Sequence, residues 1–236
     1  MQHIPLSKSW LKLKSTLTPM TWSQRVDHIW TYYKSTILIV VLFAFLIGYL
    51  LFGMLTKKDI LLGGVHANVE LSETGRSYIT SGFFEDQQGN PNKEEVSILD
   101  VMLTEIADDE YFEMNYYYLQ AVLSRVGAQH VDYILADKVA MEIFMTQDIY
   151  MDLREFFTAE ELTQLEDRLI YFLPVSENDE STVQEKYPIA VDVSDLPFFK
   201  SYSSAKGSVY FSVAVNTANH DGVKDLWTYL LTNWNP

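Results

Sequence analysis

Leu123-Ser-Arg-Val-Gly-Ala-Gln-His-Val-Asp-Tyr-Ile-Leu-Ala-Asp137 is the passage that decides the fold class. Upstream of it, Tyr116, Tyr117, Leu119, Ala121, Val122 and Val126 recur at helical intervals, and Gly127 is a residue type that commonly ends a helix. Inside the passage, Val131 to Ala136 is a short apolar run with β-branched and aromatic members, which predicts a buried strand. A second helix is expected around Ala140 to Met145. Helix, short turn, buried strand and helix is the element order of an α/β domain.

Downstream, Thr158 and Glu161 read as the cap of a short helix ending near Arg168, with strands expected at Leu169 to Leu173 and Tyr187 to Val193. Ser176 to Glu185 reads as an acidic loop. Val209, Phe211, Val213 and Val215 alternate with Tyr210, Ser212, Ala214 and Asn216, the period of a strand whose two faces differ. The closing helix, Asp221 to Trp234, places Val223, Leu226, Trp227, Leu230, Leu231 and Trp234 on one apolar face that should pack on the sheet. Toward the N-terminus, Ser97 is expected to cap a helix with Asp100 three residues on and Ile98, Val101, Met102 and Ile106 on one face. Glu85 to Asn92 reads as a loop and residues 71 to 84 as a helix or helix plus turn carrying Tyr78, Ile79, Phe83 and Phe84. Asp59 to Val69 reads as a connection feeding a first strand, in which Gly63 and Gly64 mark a close backbone approach or a bend.

The order from Leu123 to Asp137, followed by Asp148-Ile-Tyr-Met-Asp152-Leu153, is similar to a recurrent passage in periplasmic solute-binding proteins. Tyr187-Pro-Ile-Ala-Val-Asp-Val193, Ser208-Val-Tyr-Phe-Ser-Val-Ala-Val215 and the closing helix continue the likeness over residues 60 to 234. Complete members of that family are longer and hold ligand in a cleft between two lobes, so the resemblance implies a shortened, single-lobe domain that binds rather than transforms. It also implies a ligand wall at strand ends and the turns beyond them, near Asp132, Asp137 and Asp192, with Tyr78 as an aromatic candidate. Each of those acids fits a helix-capping role equally well.

Nineteen residues without charge, amide or proline, Ile37 to Leu55, precede the domain. At about 1.5 Å per helical residue this run matches the roughly 30 Å hydrocarbon core of a bilayer. A cleaved signal peptide is the rival reading, but its apolar core would be shorter and end in small residues, whereas Thr56-Lys-Lys-Asp59 comes next here. Residues 1–35 are thus read as a cytoplasmic basic leader with an interfacial helix, 36–56 as the transmembrane helix, and 57–236 as the extracytoplasmic domain. Lys8, Lys12, Lys14, Arg25 and Lys34 on one flank against Lys57 and Lys58 on the other favour a cytoplasmic N-terminus. Thr21 and Gln24 have the spacing of a capping box. Trp22, Trp30, Tyr32, Tyr33 and Lys34 suit the headgroup level, where amphipathic rings and snorkelling amines are favoured. Residues 1 to 20 read either as a segment lying on an anionic leaflet or as a flexible basic leader. Trp30-Thr-Tyr-Tyr-Lys34 running into an aliphatic span resembles the opening of small single-pass proteins of Gram-positive bacteria that carry an exported domain.

From Asp59 onward the chain holds ten Lys/Arg against 31 Asp/Glu, a net charge near −21. Phosphate backbones are repelled by such a surface, so nucleic acid is not an expected partner. With no cysteine, disulfides, thiolate metal sites and thiol nucleophiles are excluded. Ser203-Ser-Ala-Lys206 matches S-x-x-K, but Gly207 and a strand come next where catalysis needs a helix. His66, His130 and His220 lack metal-site spacing and read as surface or locally bonded residues. Asp108-Asp109-Glu110 and Glu177 to Glu180 lack a calcium-loop pattern and read as solvated acid. Tyr116, Tyr117 and Tyr118 point about 100° apart on a helix, so one or two should pack inward and the remainder face out. No cofactor, metal or catalytic residue is expected. The reading is a membrane-anchored, non-catalytic binding domain that takes a small-molecule ligand or a protein partner. The alternatives are an accessory or scaffold subunit of a membrane complex such as a transporter, and, third, a cell-envelope enzyme.

Overall fold

The computed structural model describes residues 19–105, 112–173, 185–203 and 207–232. The basic leader up to residue 18, the Asp108–Glu110 cluster, nearly all of the acidic loop, Lys206 of the S-x-x-K match and Trp234 lie outside them. The chain divides into two units, Met1–Lys57 and Lys58–Pro236.

The first unit contains α1 (Trp22–Thr56), a single uninterrupted helix. Thr21 and Gln24 close its N-terminus as a capping box, with the Thr21 N–H donating to Gln24 Oε1 at 3.1 Å. The interfacial and apolar segments are therefore one rod, about 52 Å long at 1.5 Å per residue. Trp22, Trp30, Tyr32, Tyr33 and Lys34 are all exposed on it. Among the described residues α1 is the one helix long and apolar enough to cross a membrane, and none of its most apolar window is buried. Length and composition make it compatible with a single-pass anchor, and a signal sequence meets the same test.

The second unit is built on a six-stranded mixed sheet. Its strands are β1 (Asp59–Ala67), β2 (Glu94–Val101), β3 (Tyr133–Ala136), β4 (Leu169–Phe172), β5 (Tyr187–Asp192) and β6 (Tyr210–Val213), in the spatial order β2-β1-β3-β6-β5-β4. β2, β1 and β3 are parallel, and β6, β5 and β4 then alternate in direction. Both faces of the sheet are covered, which is why β3 and β6 are buried along their whole length. Tyr133 and Leu135 enter one core with Leu62, Phe211 and Val213, while Ile134 and Ala136 enter the other with Val65, Ala67 and Ala190.

The first core is closed by the π-helical turn Tyr78–Phe83, which continues α2 (Glu73–Ser77) and runs into α3 (Phe84–Asp86). It is also closed by α6 (Ala159–Gln164), α7 (Pro197–Tyr202) and α8 (His220–Thr232). α8 docks through Val223, Leu226, Trp227 and Leu230 of its expected stripe, with Trp227 5.1 Å from the Phe211 ring, whereas Leu231 is exposed. The second core is closed by α4 (Phe112–Gly127) and α5 (Lys138–Met145), through Val122, Val126, Ala140 and Phe144. α6 opens with the expected capping box of Thr158 and Glu161.

Two expected elements are different. Asp59–Ala67, expected as a connection feeding a strand, is itself strand β1. The segment from Ser97 is not a helix but the second half of β2, paired with β1 from Asp59↔Glu94 to Ala67↔Val101. Its apolar residues satisfy both periods at once. Val96 and Ile98 pack on one core and Leu99 and Val101 on the other, and β1 supplies the hydrogen bonds a lone helix would have made for itself.

Gly63 and Gly64 mark close approach rather than a bend. A Cβ on Gly63 would lie 2.1 Å from the His130 carbonyl oxygen, and one on Gly64 would lie 2.4 Å from the Tyr133 ring. Backbone cannot move aside as a side-chain tip can, so Gly63→Ala should destabilise the domain by about 2 kcal/mol or more. Gly127, at the exposed end of α4, has nothing within 4 Å of its Cβ position and no positive φ. Gly127→Ala should therefore stabilise by about 0.5–1 kcal/mol, and urea unfolding of the two variants in parallel checks the opposite signs.

Candidate ligand-binding crevice

Parallel strands bring their carboxyl ends to one edge. Ala67 of β1 lies beside Val101 of β2 and beside Ala136 of β3. From β1 the chain moves to β2 on one side, then crosses back to β3 on the other. The topology reverses between β1 and β3, and in open α/β sheets such a reversal leaves a crevice at the strand ends. Here it is a cleft of about 690 Å³, walled among others by His66, Asn68, Val69, Glu70, Leu71, Arg76, Asp100, Met102, Leu103, Tyr118 and Asp137. Small-molecule sites are typically of this size.

Asn68 organises the floor. It follows β1 at φ 58°, a left-handed conformation that Asn tolerates better than most residues. Its Nδ2 donates to the Leu103 carbonyl at 2.7 Å and to Asp137 Oδ1 at 3.1 Å, while its Oδ1 accepts from the Leu103 N–H at 2.7 Å. Asn115 of α4 then grips Thr104 in the same two-sided way, at 3.0 and 2.8 Å. Asp137 is the N-cap of α5, its Oδ1 accepting from the Ala140 N–H at 2.8 Å.

Arg76 of α2 donates to Asp100 of β2 at 2.5 Å. Below that pair lies His66, 1% exposed, with Nδ1 3.8 Å from Asp100 Oδ1 and Nε2 3.1 Å from the Tyr133 hydroxyl. Burial lowers the His66 pKa to about 4, the Asp100 carboxylate opposing and Arg76 reinforcing the shift. Burial likewise raises the Tyr133 phenol, which keeps its proton. A protonated phenol can donate to Nε2 or accept from an Nε2–H, so this contact satisfies that nitrogen in either neutral tautomer. Nδ1 makes no hydrogen bond among the described residues. The wall thus combines paired polar groups with apolar side chains.

Of the four residues expected to line a ligand wall, Asp137 lies in the crevice. Asp132 sits at the opposite end of β3, 5% exposed, where it accepts from the Gly63 N–H at 2.7 Å and from Thr217 Oγ1 at 2.6 Å. Asp192 caps its own turn, accepting from the Ser194 N–H at 2.9 Å, beside a smaller hollow lined by Arg168 and Trp227. Tyr78 stacks in the first core, 5.3 Å from the Phe198 ring and 4.8 Å from Tyr229. The four are not brought together. Tyr118 turns in toward the crevice, whereas Tyr116 and Tyr117 face outward.

His66, Asn68, Arg76 and Asp100 were not expected at a site. His66 is neither superficial nor locally bonded, since its partner is 67 residues away. Reading Asp59–Ala67 as a strand would have shown Leu62, Gly64 and His66 sharing an inward face, and the helix expected at Ser97 hid Asp100. Among the described residues no three His, Cys, Asp or Glu side chains cluster as a metal site. Comparison with protein-family models, curated proteins and solved structures returned no match.

The His66 geometry has a pH consequence. The unfolded imidazole takes a proton below about pH 6.5 while the folded one resists until about pH 4, so stability falls as pH drops through that window and levels off below it. The loss is about 3 kcal/mol in full. Urea titrations of the full chain in nonionic detergent at pH 7.5 and 4.5 should show a pH loss 2 kcal/mol or so larger than in His66→Gln, whose side chain carries no titrating group. Equal losses in the two proteins would show that the folded ring is protonated or wet.

Proposed function

We propose that this chain is a single-pass membrane protein whose acidic α/β domain lies outside the cytoplasm and binds a small molecule in the β1/β3 crevice without transforming it. The observation that carries this reading is the crevice itself, at the reversal point of the parallel strands, with the buried and unpartnered Nδ1 of His66 in its wall. The apolar rod of α1 supports the anchor, and the five-to-two excess of basic residues before it supports a cytoplasmic N-terminus. The sheet order around β1 and β3 agrees with a solute-binding-like lobe, in which ligand would meet the strand ends.

A second reading, an accessory subunit of a membrane complex, is favoured by Tyr116 and Tyr117, exposed side by side on α4. Exposed aromatics are common anchors of protein interfaces.

Met102 separates the two readings, because it lies in the crevice wall yet is 63% exposed and can be enlarged without disturbing either core. Detergent-solubilised full chain should show a ligand-dependent rise in melting temperature with at least one of a panel of sugars, amines, amino acids and peptides. Met102→Trp should abolish that rise while shifting unliganded stability by no more than about 0.5 kcal/mol. No response to any class, together with crosslinking to a neighbouring membrane protein that is lost in the Tyr116→Ser/Tyr117→Ser variant, would favour the accessory subunit. Protease added to intact cells should remove the domain; protection of the domain would overturn the proposed orientation.

A further inference from the structure

We infer that the crevice takes a small hydroxylated organic cation, its ammonium group at the Asp137 carboxylate and its hydroxyl oxygen toward His66 Nδ1. This rests on the reading of the crevice as a binding site and adds the chemical class of the ligand.

Charge is the first ground. Asp100 and Asp137 stand in the wall beside the guanidinium of Arg76, and that guanidinium is already paired with Asp100. Among the described residues no cation lies within ion-pair distance of Asp137, and both of its side-chain hydrogen bonds, from Ala140 and Asn68, fall on Oδ1. The whole domain adds a strongly negative field, which concentrates cations and repels phosphates and carboxylates.

The second ground is independent of charge. His66 Nδ1 belongs to an almost fully buried ring, it makes no hydrogen bond among the described residues, and His66 lines the same cleft. Buried polar groups in native proteins are nearly always satisfied, and one that is not calls for a partner. The nearest acceptor, Asp100 Oδ1 at 3.8 Å, is beyond hydrogen-bond reach. A ligand oxygen completes it. Val69, Leu71 and Leu103 supply apolar wall for the carbon frame between the two polar ends.

The test uses the full chain in detergent, with glucosamine, ethanolamine and putrescine as amines and glucose and glucose 6-phosphate as the neutral and anionic comparisons. At a hundredfold excess over the dissociation constant a binder should raise the melting temperature by about 5–10 °C. Glucosamine or ethanolamine should act more strongly than putrescine, which has no oxygen, and glucosamine more strongly than glucose, which differs from it only at the amine. Asp137→Asn should weaken amine binding roughly tenfold or more. That variant keeps its fold, because Asn caps a helix as well as Asp does and retains the acceptor for Ala140. Silence from all three amines, equal shifts from glucosamine and glucose, or amine binding indifferent to Asp137→Asn would each overturn the inference. Binding of glucose or glucose 6-phosphate in place of amines, abolished by Met102→Trp, would overturn the cation and leave the crevice standing as a binding site; no binding by any compound in the wider panel would remove both.

Discussion

The close pairing of β3 beside the two glycines of β1 is the constraint on which the domain's geometry depends. At Gly63 and Gly64 the His130 carbonyl and the Tyr133 ring occupy the space a side chain would need. Asp132 holds the same pairing by accepting the Gly63 N–H. With this register set, Ala67 and Ala136 end level, and the next residues, Asn68 and Asp137, meet in a hydrogen bond at the crevice floor. Tyr133, laid flat on Gly64, also brings its hydroxyl to His66. Packing in the first core and polarity in the crevice therefore share one origin.

Electrostatics divide the domain sharply. Its composition is acidic, and at the crevice Arg76 is paired with Asp100. Beneath that pair the interior is dry enough to hold an imidazole neutral and a phenol protonated. A neutral histidine under a carboxylate is a mark of strong desolvation, since in water the neighbouring charge would favour the imidazolium. The same desolvation gives directional weight to any hydrogen bond made at Nδ1, because polar interactions strengthen as the local dielectric falls.

Several elements were legible from local pattern alone: α8 from its six-residue stripe, α4 and β3 from the passage ending at Asp137, α6 from its capping box, and α1 from its unbroken apolar run. Each carries its own signal in consecutive residues. The crevice was much less legible. Asp132 and Asp137 were expected alike at the wall from the resemblance, but Asp132, five positions earlier, belongs to the opposite end of β3 and holds the β1/β3 pairing through the Gly63 N–H. Sequence spacing along a strand does not tell which end of it faces a cavity.

The amino-acid sequence by itself determined the apolar rod, the acidic α/β character of the chain beyond Lys58, and the periodic faces of the longest elements, all of which depend on neighbours along the chain. Only the tertiary structure decided that Glu94 to Val101 is a strand, that His66 is buried beside Tyr133, and that residues from three separate strand ends share one crevice. Those outcomes depend on hydrogen bonds and close contacts between segments tens of residues apart. Backbone groups of β2 could be satisfied within a helix or by β1, and the presence of β1 at its edge settled the choice.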